Sequence, residues 1–288
     1  MKRGLIGLLA ALAACSSPEE MSAAVGPAAG AQAGAAQTTG SKAPARESAQ
    51  TALERRLAAD AKPFVMDEAE QDGEAQRIFA YSWPRQASAI PGLVSVLATD
   101  RDTRLAEQKS EWEDQRLGCS PDSGACRNNS IEVNWQVISD TLRFLSLSSS
   151  IYSYAGGAHG NYWRTSLVWD REAGEALEPQ ALFASPGALG EAIRPRVCRL
   201  LDREREERRG EPAPAGSSEW PYQCPGMEDT VIFLGSASGT RFDRIGVYYA
   251  PYVAGPYAEG DFEFTVPVNA AVLRAVKPVY REAFAAGS

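Results

Sequence analysis

Between residues 131 and 169 the chain carries a pattern suited to extended backbone. Ile131, Val133, Trp135 and Val137 fall at every second position, and Trp163, Thr165, Leu167 and Trp169 do so again. A period of two puts each set on one face of a sheet, so two half-buried strands are expected there, with a third over 142–154 between them. Residues 64–66 and 77–83 predict two further short strands, parted by an acidic, glycine-containing turn. The stretches 230–234, 241–249 and 262–266 predict three more.

Helices are expected where the period lengthens. Pro91 opens one in which Leu93, Leu97, Leu105 and Trp112 mark a face, and it stops near Gly118. Leu189, Ile193, Val197 and Leu201 recur every four residues, which predicts a second helix kinked or begun near Pro195. It runs into 202–209, which carries four acids and four arginines. Glu204 and Arg208 stand four apart, so this run is read as a solvated, salt-bridged helix end closed by Gly210. A last helix is expected over 269–284, interrupted near Pro278. Strands and helices mix without a regular βαβ repeat, so the fold class is α+β, a two-part module with a mixed or antiparallel sheet and packed helices.

Composition narrows the chemistry. A hydrophobic fraction of 44%, with six Trp, nine Phe and ten Tyr, supplies a sizeable core. The net charge of −8 has the wrong sign for a nucleic-acid binder, so no nucleic-acid partner is expected. One histidine, His159, serves the whole chain, which removes every site that needs two imidazoles, zinc peptidases and Asp-His-His deacetylases included. No metal or other cofactor is expected.

The N-terminus predicts an exported protein. Lys2 and Arg3 precede a short apolar run, 5–14, and then Cys15. The tetrapeptide Leu12-Ala13-Ala14-Cys15 resembles the bacterial lipobox, which implies removal of residues 1–14 and lipidation of Cys15. Ser16 rather than Asp follows, as in lipoproteins sorted to the outer membrane, so a lipid-anchored position facing the periplasm is expected. Residues 22–49 hold eleven Ala and four Gly, with Val25 their only larger aliphatic. Residues 15–50 are therefore read as a tether with an r.m.s. reach of roughly 30–35 Å. In an exported chain the other four cysteines read as disulfides. Nearest-neighbour pairing favours Cys119–Cys126 and Cys198–Cys224, worth roughly 2.5–3.5 kcal/mol each through loop entropy.

The most unusual local sequence is Tyr154-Ala155-Gly156-Gly157-Ala158-His159-Gly160. Asp170–Gly174 then supplies an Asp-x-x-x-Gly turn, 177–183 reads Leu-Glu-Pro-Gln-Ala-Leu-Phe, and a tyrosine-rich loop occupies 248–260. Together these resemble the C-terminal domain of unknown function shared by the RsiV anti-sigma factor and the PdaC peptidoglycan deacetylase. The late loop aligns with the family's Tyr-x-x-x-Pro-Tyr-x-x-Gly either at 248–252 or at 252–260. The resemblance spans roughly 130–284, and 75–117 looks like the smaller domain that precedes it. Expected boundaries are 51–128 for a small PdaC-like subdomain and 129–288 for the C-terminal domain. The membrane span of RsiV-like chains and the catalytic domain of PdaC-like chains have no counterpart here. What the resemblance implies is an extracytoplasmic module that engages cell-wall-associated ligands, a lysozyme-like muramidase or peptidoglycan.

Three roles stay open for His159: a hydrogen-bonded pin of the glycine turn, a binding contact, or a catalytic base. A serine hydrolase would need a serine oriented to the imidazole with an acid behind it, and serines abound but the Gly-x-Ser-x-Gly elbow is missing; a carboxylate pair leaves no sequence trace. No catalytic residue is assigned. The expected binding set is Tyr154, Gly156, Gly157, His159, Tyr252 and Tyr257, with the 154–160 turn and the 251–260 loop close together. The alternatives are an envelope hydrolase using His159 or a carboxylate pair, and a structural envelope-assembly lipoprotein.

Overall fold

The structure, a computed structural model, describes residues 48–214 and 216–287. The signal segment, Cys15 and the tether up to residue 47 lie outside the described residues.

Six strands form the larger sheet in the order β1 (Phe64–Asp72), β2 (Ala75–Trp83), β3 (Asn129–Asp140), β4 (Phe144–Tyr154), β5 (Asn161–Asp170) and β6 (Glu175–Leu177). Every neighbouring pair is antiparallel except β2 and β3, which are parallel. A parallel pair needs a long crossover. Here it consists of α2 (Arg85–Ser88), α3 (Pro91–Gly118) and α4 (Gly124–Arg127). Leu93 and Leu97 of α3 are buried against one face of the sheet, over Phe79, Tyr81, Trp135, Leu147 and Trp169, and Trp112, also buried, donates its indole N–H to the Arg127 carbonyl at 3.0 Å. Each such side chain contributes roughly 1.5–3 kcal/mol by leaving water.

The other face carries Phe144 and Val168 and packs on a second layer. That layer is the antiparallel meander β7 (Val231–Gly235), β8 (Arg244–Tyr249) and β9 (Phe262–Pro267), backed by α5 (Pro186–Arg209) and α6 (Ala270–Ala275). Leu189, Ile193, Val197 and Leu201 form the buried stripe of α5 and meet Ile232, Ile245, Val247 and Phe262. Ser185 caps α5, Pro195 lies inside it and left-handed Gly210 ends it. The Ser139 hydroxyl donates to the Leu234 carbonyl at 2.7 Å and ties β3 to β7.

The fold is α+β with a mixed sheet and two disulfides, Cys119–Cys126 and Cys198–Cys224, whose Cα atoms are 5.9 and 5.5 Å apart. Several elements differ from expectation. The acidic segment 67–72 is strand, not turn: β1 continues to Asp72, and the bend sits at Gly73. As an edge strand β1 leaves its carboxylates free to pair with Arg77, Lys109 and Arg116. The strand expected over 241–249 begins at Arg244, and the closing helix is α6 followed by a 3₁₀ turn over Pro278–Ala283. An extra helix, α1 (Ala49–Asp60), starts just before the expected end of the tether. Arg171, only 3% exposed, fastens it: its guanidinium meets Glu54 at 2.7 Å and Asp140 at 2.8 Å. The six-stranded sheet takes strands from both sides of residues 128 and 129, with β2 before them paired to β3 after.

Candidate functional site

The glycine-rich turn joins β4 to β5, so one hairpin fixes its position. Its first half docks on the Cys119–Cys126 loop. The Tyr154 hydroxyl lies 2.9 Å from the Ala125 carbonyl and 3.0 Å from that of Gly157, and Gln115 donates to the Ala155 carbonyl at 2.7 Å. Gly156 has φ +84, and a Cβ there would stand 3.1 Å from the Ala125 oxygen and 3.2 Å from the Cys126 oxygen. Only glycine gives both the angle and the approach. An open groove of about 460 Å³ runs between the two loops, lined by Gln115, Ser123, Ala125, Gly156 and Gly157.

The second half of the turn meets the 251–260 loop. The exposed His159 imidazole stacks on Tyr257 with ring centroids 4.0 Å apart and planes 19° from parallel. His159 Nδ1 is 2.8 Å from the Gly160 carbonyl, and the Tyr257 hydroxyl donates to the same oxygen at 2.9 Å. A carbonyl only accepts, so Nδ1 carries the proton of that bond. Tyr252 lies 5.5 Å from Tyr257 and Tyr162 meets it edge-on at 6.2 Å. Tyr152 lies over Gly160, where any Cβ would strike its ring. Tyr252 is half exposed, at 50%, and holds φ +72, a conformation costly for a bulky residue.

The sequence-derived set thus divides. His159, Tyr252 and Tyr257 share one aromatic surface, while Tyr154, Gly156 and Gly157 face the disulfide loop. Sequence reasoning missed Trp220, which is 51% exposed and donates its indole N–H to the Tyr252 carbonyl at 3.1 Å. It also missed the arginines beneath the loop. Arg209 binds Glu259 through two 2.8 Å contacts, and Arg208 donates to the Glu259 and Asp261 carbonyls. Arg205 reaches the carbonyls of Tyr222, Gln223 and Ala254. The run read as a solvated helix end keeps its Glu204–Arg208 pair at 2.9 Å, but three of its arginines hold the site.

A largely buried polar pair lies two residues along β5 from Tyr162. Arg164 of β5 pairs with Glu263 of β9 at 2.6 Å and lies over the Phe233 ring. Burial raises the Glu263 carboxyl above the ordinary carboxylate range, against the pull of Arg164. Burial likewise raises the Tyr162 hydroxyl, with the Asp261 charge adding to it. The one imidazole is bonded to a backbone carbonyl where a catalytic triad would place a carboxylate. No group of three His, Cys, Asp or Glu side chains among the described residues could hold a metal ion.

Residues 43–162 match the family model described as deacetylase PdaC. This stretch is similar to a PdaC-type domain. It takes in α1 through β4 and the whole glycine turn, and ends at Tyr162 at the start of β5. The 251–260 loop and the α5 arginines lie beyond that match. Among solved structures the chain is similar to a DUF3298 family protein from Pseudomonas aeruginosa PAO1, at 17% identity and TM-score 0.45. The alignment covers 78% of this chain and 96% of that one. It is also similar to a DUF3298 family member from Bacteroides fragilis, at 16% identity and TM-score 0.42, covering 72% and 90%. No curated protein matches the chain.

Proposed function

We propose that this protein is a non-catalytic recognition module of the cell envelope, lipid-anchored through Cys15 and binding a cell-wall-associated ligand. That ligand is a lysozyme-like muramidase or the peptidoglycan on which such enzymes act. The observation that carries this reading is the aromatic surface: His159 stacked at 4.0 Å on Tyr257, with Tyr252 5.5 Å away. Rigid aromatic rings supply contact area at low entropy cost, which suits recognition of a protein or a glycan. Deacetylation is the activity in the name of the matching family model. A zinc deacetylase of the Asp-His-His kind needs two imidazoles, and this chain has one histidine, so its residues do not fit that site.

The test uses the full-length protein against purified peptidoglycan and a panel of lysozymes. Tyr252→Ala or Tyr257→Ala should weaken binding by roughly 1–3 kcal/mol while the fold is kept. Full binding by a folded double variant would overturn the reading. Turnover of cell-wall fragments would replace it with the hydrolase, and co-purification with envelope proteins alone would replace it with the assembly role.

A further inference from the structure

We infer that Arg205 is the positioning residue of the recognition surface, one buried guanidinium that holds the Trp220 segment and the Tyr252–Tyr257 loop in fixed register. This rests on the recognition reading above.

Arg205 is 2% exposed, yet its nearest carboxylate, Asp202, is 3.6 Å away and itself largely in water. Its charge is held instead by three backbone carbonyls. Nε and Nη2 both donate to Ala254, Nη1 donates to Tyr222 at 2.9 Å, and Nη2 donates to Gln223 at 2.9 Å. Burying a cation in this way is expensive, and burial lowers the guanidinium's affinity for its proton. The planar fork can satisfy two chain segments at once, which an ammonium on a single point cannot. The two segments are those that present the rings. Tyr222 follows Trp220 by two residues, Ala254 follows Tyr252 by two, and the Trp220 indole closes the loop on the Tyr252 carbonyl. Cys198–Cys224 and the Arg194 bond to the Cys224 carbonyl tie the same segment to α5. Tyr252 at φ +72 persists only while its surroundings over-determine it, and Arg205 is the central fastening.

The experiment compares full-length wild type, Arg205→Met, Arg205→Lys and the control Arg171→Met, each labelled with fluorotyrosine. Tyr252→Phe and Tyr257→Phe assign the two resonances. Both Arg205 variants should shift or broaden those resonances and bind the lysozyme or peptidoglycan that wild type binds at least tenfold more weakly. Arg171→Met should lower the melting temperature yet leave resonances and binding unchanged. Unchanged resonances in folded Arg205→Met, or equal changes in Arg171→Met, would overturn the inference. So would failure of both Arg205 variants to fold, which would make Arg205 a determinant of the fold alone. If wild type binds neither probe, the recognition reading fails, while the fluorine spectra still decide whether Arg205 positions the loop.

Discussion

Replacing Gly156 by alanine separates two costs that the glycine turn avoids. The first is conformational: at φ +84 an L-residue gives up roughly 1–2 kcal/mol. The second is steric, because the new methyl would stand 3.1 and 3.2 Å from the carbonyl oxygens of Ala125 and Cys126. Those oxygens belong to a loop closed by a disulfide and cannot retreat freely, so overpacking adds roughly 1–2 kcal/mol. Gly157→Ala is the internal control. Its φ is +94, but nothing lies within 4 Å of the added carbon, so it pays the first cost alone. For a chain of this size the two variants should lose roughly 6 °C and roughly 3 °C in melting temperature. Urea unfolding of both variants, repeated in a Cys119→Ser/Cys126→Ser background, reads the difference. The gap should close once the loop is free to move. Equal losses in the intact background would show that docking on the disulfide loop carries nothing.

Other outcomes follow from the same geometry. Removing the Cys198–Cys224 bridge by a double alanine change should cost roughly 3.5 kcal/mol, against roughly 2.5 for Cys119–Cys126, since its loop is longer; reversed values in urea titrations would count against the loop-entropy reasoning. Because burial holds the Glu263 carboxyl above its ordinary value of 4.5, the folded chain keeps that proton longer than the unfolded one. Stability from this group therefore falls as pH rises from 4.5 through the raised value, and Glu263→Gln should abolish that slope in pH-dependent unfolding. Glu68 has the opposite sign: hydrogen bonds from Lys109 and Arg77 lower it, so its contribution is present above 4.5 and is lost as pH falls through the depressed value. Tyr252→Gly should be about 1 kcal/mol more stable than Tyr252→Ala, because glycine relieves the strain at φ +72 while both lose the ring; equal melting curves would show that the site is unstrained.

Where burial is one-sided, the sequence announces its structure. Alternation at Ile131–Val133–Trp135 and the proline-opened face of Leu93 and Leu97 both became packed elements. The parallel pairing of β2 with β3 leaves no local trace, because its partners are separated by an entire helical crossover. Helix α1 was unreadable for another reason. Its buried residues are Thr51 and Glu54, while Leu53 and Leu57 face water, so the apolar pattern pointed away from the packed face. The arginine clamp did leave a signal. Leu189, Ile193, Val197 and Leu201 set a four-residue stripe, and the next position on it is Arg205. A cation on the buried stripe of a helix needs a fixed set of acceptors, and that periodicity could have singled it out from its solvated neighbours.

The magnitudes explain why the surface is built on charge instead of on apolar packing. Holding Tyr252 in a left-handed conformation costs about 1–3 kcal/mol. Hydrogen bonds from a charged donor return about 1.5–3 kcal/mol each, so the bonds from Arg205 to three carbonyls outweigh the strain even after part is lost to desolvation. Arg208 and Arg209 also sit at the C-terminal end of α5, where the helix dipole favours cations. An apolar underlayer would have been cheaper to fold, but dispersion contacts have no direction and would leave the loop free to slide. On the recognition reading, directional bonds would fix the rings before a ligand arrives, and each side chain ordered in advance would save about 0.5–1.5 kcal/mol at binding. That saving would offset part of the strain of holding the half-exposed Tyr252 at φ +72.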